Sequence, residues 1–133
     1  MLSSMSPVIL TRGGKLLLVA GSPGGRTIPN TVIDVVLGVT AFKQSLRSAV
    51  DASRVHHQWL PDETRYEAGA MNAAVQHELE AMGHVMRRDP AQSQGDAHSI
   101  WYDATTGMAY GANDHRSADS KASIPAPESK TKR

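Results

Sequence analysis

Cysteine is absent from the 133 residues, so a disulfide, a thiolate metal site and a cysteine nucleophile are all excluded. No apolar run approaches the length of a membrane span, and none suggests membrane insertion. The N-terminus places serines and Pro7 where a signal peptide would carry a basic and then an apolar stretch. Charge of one sign is also missing. The 14 basic and 13 acidic residues nearly cancel, and residues 117–133 account for four and two of them, leaving ten and eleven in the body. The slight basic excess belongs to a tail, not a face, which argues against a nucleic-acid partner. There is no internal repeat.

What is present describes one ordinary globular domain, 40% hydrophobic and 20% charged. Pro7–Arg12 reads as a strand, Gly13-Gly14 as a two-residue hairpin turn, and Lys15–Ala20 as a return strand whose continuous apolar run predicts burial on both faces. Residues 31–42 read as a mostly buried helix, with Thr31 and Asp34 as a capping pair and Gly38 as a weak point. A short helix is expected over Ser45–Ala52, then an irregular loop over 56–63 and a strand over Thr64–Glu67. Met71, Ala74, Val75, Leu79 and Met82 share one helical face, which Gly83 terminates. A strand over His84–Met86 follows. Ser99–Asp103 and Met108–Ala112 form a second hairpin, and the Ser-, Lys- and Pro-rich residues 118–133 are expected to be disordered.

The chemistry centres on Gly21-Ser22-Pro23-Gly24-Gly25, which leaves a strand and enters a helix. Backbone N–H groups in such a turn suit an anion or a developing oxyanion. On pattern alone an ordinary tight turn fits as well. Ser3 and Ser4 offer adjacent hydroxyl donors for a carboxylate, although a polar turn before a strand is the plainer reading of those residues by themselves. The hairpin would carry the Ser3-Ser4 end back beside Gly24-Gly25. The histidines do not make a metal site. His77-Glu78 begins like a zinc-protease helix, but Ala81 stands where the second ligand belongs, and the adjacent His56 and His57 would point to opposite faces.

Four stretches, taken in order, carry a family likeness: Leu2-Ser3-Ser4-Met5-Ser6-Pro7, the glycine turn, His56-His57-Gln58-Trp59-Leu60-Pro61-Asp62-Glu63 and Gly111-Ala112-Asn113-Asp114-His115-Arg116. Together they resemble the γ-glutamyltransferases (glutathione hydrolases), specifically the later part of the small subunit, over 1–117. His115 stands where that family usually has proline. The resemblance implies an α+β fold, part of an N-terminal-nucleophile hydrolase αββα sandwich with antiparallel sheets and flanking helices. It implies transfer or hydrolysis of the γ-glutamyl group of glutathione and related amides through a γ-glutamyl-threonine intermediate. Gly24 and Gly25 match the oxyanion-hole glycines, and Ser3 and Ser4 the pair that binds the substrate α-carboxylate. The His56–Asp62 stretch and an Asp114–Arg116 ion pair are expected to be structural. No metal and no organic cofactor are implied, and family members are usually periplasmic or extracellular.

The nucleophilic threonine, its flanking motif and the large subunit with its substrate-binding arginine have no counterpart in this sequence. Thr11 and Thr31 sit in unrelated contexts. Met1, where the family usually has proline, suggests a truncated frame or a fragment, expected to be inactive alone. A carboxylate- or phosphate-binding module and a degraded remnant are the alternatives.

Overall fold

The computed structural model describes residues 6–91 and 94–122. Gly13 and Gly14 take left-handed backbone, φ 58° and 76°, and fold β1 (Val8–Arg12) back on β2 (Lys15–Gly21). β6 (His98–Asp103) and β7 (Met108–Asn113) make the second hairpin, and β6 pairs with β2. The result is an antiparallel sheet in the order β1-β2-β6-β7.

Directly opposed residues in such a sheet share a face. Leu18, Ala20, Ser99 and Ala112 face one way and are buried. The opposite face carries Ile9, Val19 and Ile100, which lie in register across three strands. The expected two-sided burial of β2 therefore fails: Leu16 is exposed and only Leu18 and Ala20 are fully inside. One face of this sheet is covered by helices and the other is not.

The covering helices are α1 (Ile28–Thr40) and α2 (Leu46–Asp51). Ile28, Val32, Val35 and Val39 recur at helical spacing and meet Leu18, Ala20, Ala112 and the α2 residues Leu46, Ala49 and Val50. Each fully buried aliphatic here contributes roughly 1.5–3 kcal/mol. Gly38 has a packing reason. A β-carbon there would stand 2.9 Å from the Ala49 β-carbon, so its bare backbone is what lets α2 lie close. Ser45 caps α2, accepting from the Ser48 N–H at 3.1 Å.

The start of α1 differs from expectation. Pro29 sits in its first turn, Thr27 occupies the cap position without a side-chain cap bond, and Thr31 lies inside the helix. Pro29 has no N–H to lose and its φ is preset for a first turn, which moves the boundary upstream.

A smaller sheet, β3-β4-β5, contains β3 (Val55–His56), β4 (Thr64–Tyr66) and β5 (Met86–Arg88). β5 runs parallel to β4, a departure from the all-antiparallel expectation, because α3 (Ala73–Ala81) intervenes as a crossover helix. Asn72 caps α3, and Gly83 (φ 97°) ends it in a Schellman turn. The Gly83 and His84 N–H groups donate to Glu80 and Leu79. The expected apolar face of α3 is not buried: no α3 residue is, and Met82 is 74% exposed.

Candidate functional site

β2 ends at Gly21, and the chain turns through Ser22 and Pro23 to Gly24 (φ 135°) and Gly25 (φ 59°). Gly25–Thr27 forms one 3-10 turn that runs directly into α1. Thr27 locks the turn, its N–H and its hydroxyl donating to the Gly24 carbonyl at 3.2 and 3.0 Å. Among the described residues, nothing accepts the Gly24 or Gly25 N–H. Among those residues two donors thus stand without an acceptor at the positive end of a helical run. Gly24 lines a recess of about 380 Å³ with Pro23, Gly95, Asp96 and Arg116.

The turn rests on a second loop, Gln94–Ala97. Gly95 lies so close that a β-carbon on Gly24 would fall 3.0 Å from its α-carbon, and a β-carbon on Gly95 would collide with the Thr31 hydroxyl. Ser22 Oγ accepts from the Asp96 N–H at 3.0 Å, and the Thr31 hydroxyl donates to the Gln94 carbonyl at 3.2 Å. Thr31, expected as a helix cap, instead bridges α1 to this loop.

Beneath the loop lie four buried charges. Arg54 donates to the Gln94 and Gly95 carbonyls at 2.7 and 3.1 Å and to Asp114 Oδ2 at 2.6 Å. Arg116 donates to Asp114 Oδ1 at 2.9 Å and to both oxygens of Glu67. Glu67 also accepts the Arg54 N–H at 2.9 Å, and Asp114 accepts the Ala97 N–H at 2.8 Å. Two guanidiniums and two carboxylates, with the Arg54 backbone N–H as the closing link to Glu67, therefore form a ring in which every charge has an opposite partner. Burial pushes the Asp114 carboxyl up. The Ala97 and Arg116 N–H groups and the two guanidiniums outweigh it and hold Asp114 at about 2. Glu67 is likewise driven up by burial but held below its ordinary value, chiefly by Arg116 and the Arg54 N–H. Arg116 is raised, burial being outweighed by Glu67 and Asp114. Asp34, on α1, is raised by burial, which the nearby Arg54 offsets only in part.

Residues 1–124 match the family profile described as Gamma-glutamyltranspeptidase. The chain belongs to that family. It is similar to the glutathione hydrolase proenzymes of Escherichia coli (42% identical over 118 residues, 89% of this chain) and Pseudomonas aeruginosa (46% over 105 residues, 77%). It spans about one fifth of the length of each, 20% and 19%. Among solved structures it resembles the Helicobacter pylori gamma-glutamyltranspeptidase T380A mutant (TM-score 0.81, 42% identity, 87% of this chain and 62% of that one). It also resembles the Pseudomonas nitroreducens gamma-glutamyltranspeptidase complexed with L-DON (TM-score 0.81, 38% identity, 94% and 64%).

Of the residues that the gamma-glutamyltranspeptidase likeness singles out, Gly24 and Gly25 lie at the turn described above, while Ser3 and Ser4 lie outside the described residues. Val8 pairs with Ala20, so the chain enters β1 at the end where β2 leaves toward the glycines. In the His56–Glu63 stretch, His56 is buried and bonded to Gln58 at 3.1 Å, and His57 is exposed. His57 Nδ1 accepts the Trp59 N–H at 3.1 Å, which leaves Nε2 to donate to Asp62 at 3.1 Å. That loop pins itself. Asp114 and Arg116 do pair, and His115 in place of proline reaches Asp51 at 3.2 Å. Among the described residues, no group of three or more His, Asp or Glu side chains could hold a metal ion, and no helix is long and apolar enough to cross a membrane. Residues 118–122 remain in contact with the body: Asn113 donates to the Ser120 carbonyl at 2.8 Å.

Arg54, Glu67 and Gly95 escaped sequence reasoning. Each is an isolated residue in an unremarkable stretch, and the partners that give Arg54 and Glu67 their roles, Asp114 and Arg116, lie 60 and 49 positions away. The one available signal was the Gly95 in Gln94-Gly95-Asp96, a glycine outside any predicted element.

Proposed function

We propose that this chain supplies the oxyanion hole and the substrate-carboxylate anchor of an enzyme that transfers or hydrolyses the γ-glutamyl group of glutathione and related amides. Gly24 and Gly25 would receive the negative oxygen formed when the γ-carbonyl is attacked, and Ser3 and Ser4 the α-carboxylate. Removing one such N–H donor elsewhere costs roughly 3–4 kcal/mol of transition-state stabilisation. The observation that carries this reading is the pair of left-handed glycines whose N–H groups meet no acceptor among the described residues, with Gly24 lining a recess.

The nucleophile, in this reading, is a self-exposed threonine supplied from outside these 133 residues. The uncovered face of the β1-β2-β6-β7 sheet, with Ile9 and Ile100 at 69% and 44% exposure, is where a second sheet of an αββα sandwich would pack. Periplasmic or extracellular placement belongs to the same proposal.

The test is release of a chromophore from a γ-glutamyl anilide. The chain alone gives none, and the chain joined to the missing segments turns over. Gly25→Val or Ser3→Ala/Ser4→Ala in that assembly abolishes turnover. Near-normal turnover by a folded Gly25→Val assembly overturns the oxyanion-hole assignment. The competing reading, a simple anion-binding module, rests on the same unspent N–H groups. It would show as tight binding of phosphate as well as glutamate to the chain alone in isothermal titration.

A further inference from the structure

The helix layer ends before the sheet does. α1 stops at Thr40 and α2 is only six residues long, so the far ends of β6 and β7 stand uncovered. A cavity of about 630 Å³ opens there, one α1 length, about 20 Å, from the glycine turn. Its walls include Val39, Leu46, Trp101 and Tyr110. Trp101 and Tyr110 are directly opposed across the β6–β7 pairing, so their rings share the face toward the cavity.

The charge of this cavity is one-sided. Arg12, Lys43 and Arg47 line it, and no aspartate or glutamate does. Arg47 is neutralised by Asp51 at 3.2 Å. Arg12 and Lys43 pair with no carboxylate among the described residues. Lys43 Nζ donates to the Thr40 carbonyl at 2.5 Å. Lys43 also holds left-handed backbone, φ 58°, which is uncommon for a residue with a side chain. A volume in the range of small-molecule sites, aromatic walls and two unmatched cations define a ligand with an apolar body and an anionic end.

We propose that this cavity binds a small amphipathic carboxylate, its planar apolar body against Trp101 and Tyr110 and its carboxylate held by Arg12 and Lys43. The site is separate from the glycine turn and does not depend on the function assigned to it.

The test titrates 2-naphthoate into the 133-residue chain and follows backbone and indole N–H signals by NMR. Trp59, 79% exposed and next to the other sheet, serves as the internal control. Saturable shifts at Trp101 and residues 43–46, with Trp59 unmoved, are expected. 2-Naphthylmethanol, which keeps the rings and lacks the charge, binds about tenfold more weakly, as does 2-naphthoate to an Arg12→Gln/Lys43→Gln variant. Neither substitution removes an ion pair, and retained signal dispersion shows that the variant is folded. Equal affinity for acid and alcohol overturns the carboxylate assignment. Shifts spread over Trp59 as well overturn the site. Loss of the Trp101 shift when the chain is joined to the rest of a full-length relative also overturns the proposal, because protein then fills the cavity.

Discussion

Gly24 and Gly95, 71 positions apart, meet backbone to backbone: a β-carbon on the first would lie 3.0 Å from the α-carbon of the second. Two stretches with no sequence relationship thus share one contact surface, and neither tolerates a side chain there.

The first prediction follows from that contact. Gly95→Ala places a methyl group against the Thr31 hydroxyl and forces left-handed backbone (φ 81°) on alanine. It destabilises the chain by about 2–4 kcal/mol. Gly25→Ala, where nothing lies within 4 Å, costs only about 1–2 kcal/mol of backbone strain. Urea unfolding of the two variants measures the difference, and equal losses would show that the loop–turn contact is looser than described.

Acid should open the buried ring. The folded Asp114 carboxyl titrates at about 2 against an ordinary 3.8, so the folded state favours the ionised form. Its stabilisation, on the order of 2 kcal/mol, is complete above about pH 5 and is lost as the pH falls through 3.8 toward 2. Glu67, also held low, adds to the same slope. Asp114→Asn leaves the Arg54 guanidinium short of a buried partner, costs about 3–5 kcal/mol and flattens the acid limb. Urea midpoints from pH 6 to 2.5 report this directly. A wild-type midpoint that stays constant over that range contradicts the ring's role.

α3 is held by its ends more than by its face. Asn72 Oδ1 accepts the Val75 N–H at 2.9 Å, and no residue of the helix is buried. Asn72→Ala should cost about 1 kcal/mol locally and speed amide exchange in the first turn of α3 about fivefold, with exchange at Leu18 and Val35 unchanged. A matching acceleration in β2 would mean that α3 is coupled to the main core after all.

The row Ile9, Val19, Ile100 makes an apolar stripe across three strands on the face away from the helices. The isolated chain should therefore self-associate at high concentration. Ile100→Glu shifts sedimentation toward monomer without lowering the thermal midpoint by more than a degree or two. Unchanged association in that variant would place the contact elsewhere.

How much of this was readable beforehand depended on the distance between partners. The β1–β2 hairpin was legible because Gly13-Gly14 and the flanking apolar runs are contiguous. The end of α3 was legible from Gly83, and α2 was expected to within one residue at each end. The start of α1 was missed because Thr31-x-x-Asp34 imitates a cap while Pro29 sets the true first turn. The face of α3 was misjudged because periodicity shows which residues could be buried, not whether a partner lies over them. The ring of Arg54, Glu67, Asp114 and Arg116 was almost invisible. Only Asp114 and Arg116 are neighbours, and their link to the glycine turn runs through the backbone carbonyls of Gln94 and Gly95.

That routing sets an order of events during synthesis. The glycine turn leaves the ribosome before the loop that braces it, which comes some seventy residues later. The carboxylate that neutralises Arg54 beneath that loop comes later still, at Asp114. A nascent chain that has made Gly24 and Gly25 but not yet Asp114 carries the right residues with nothing to hold them in shape. The turn is translated some ninety residues before the carboxylate that finishes its support.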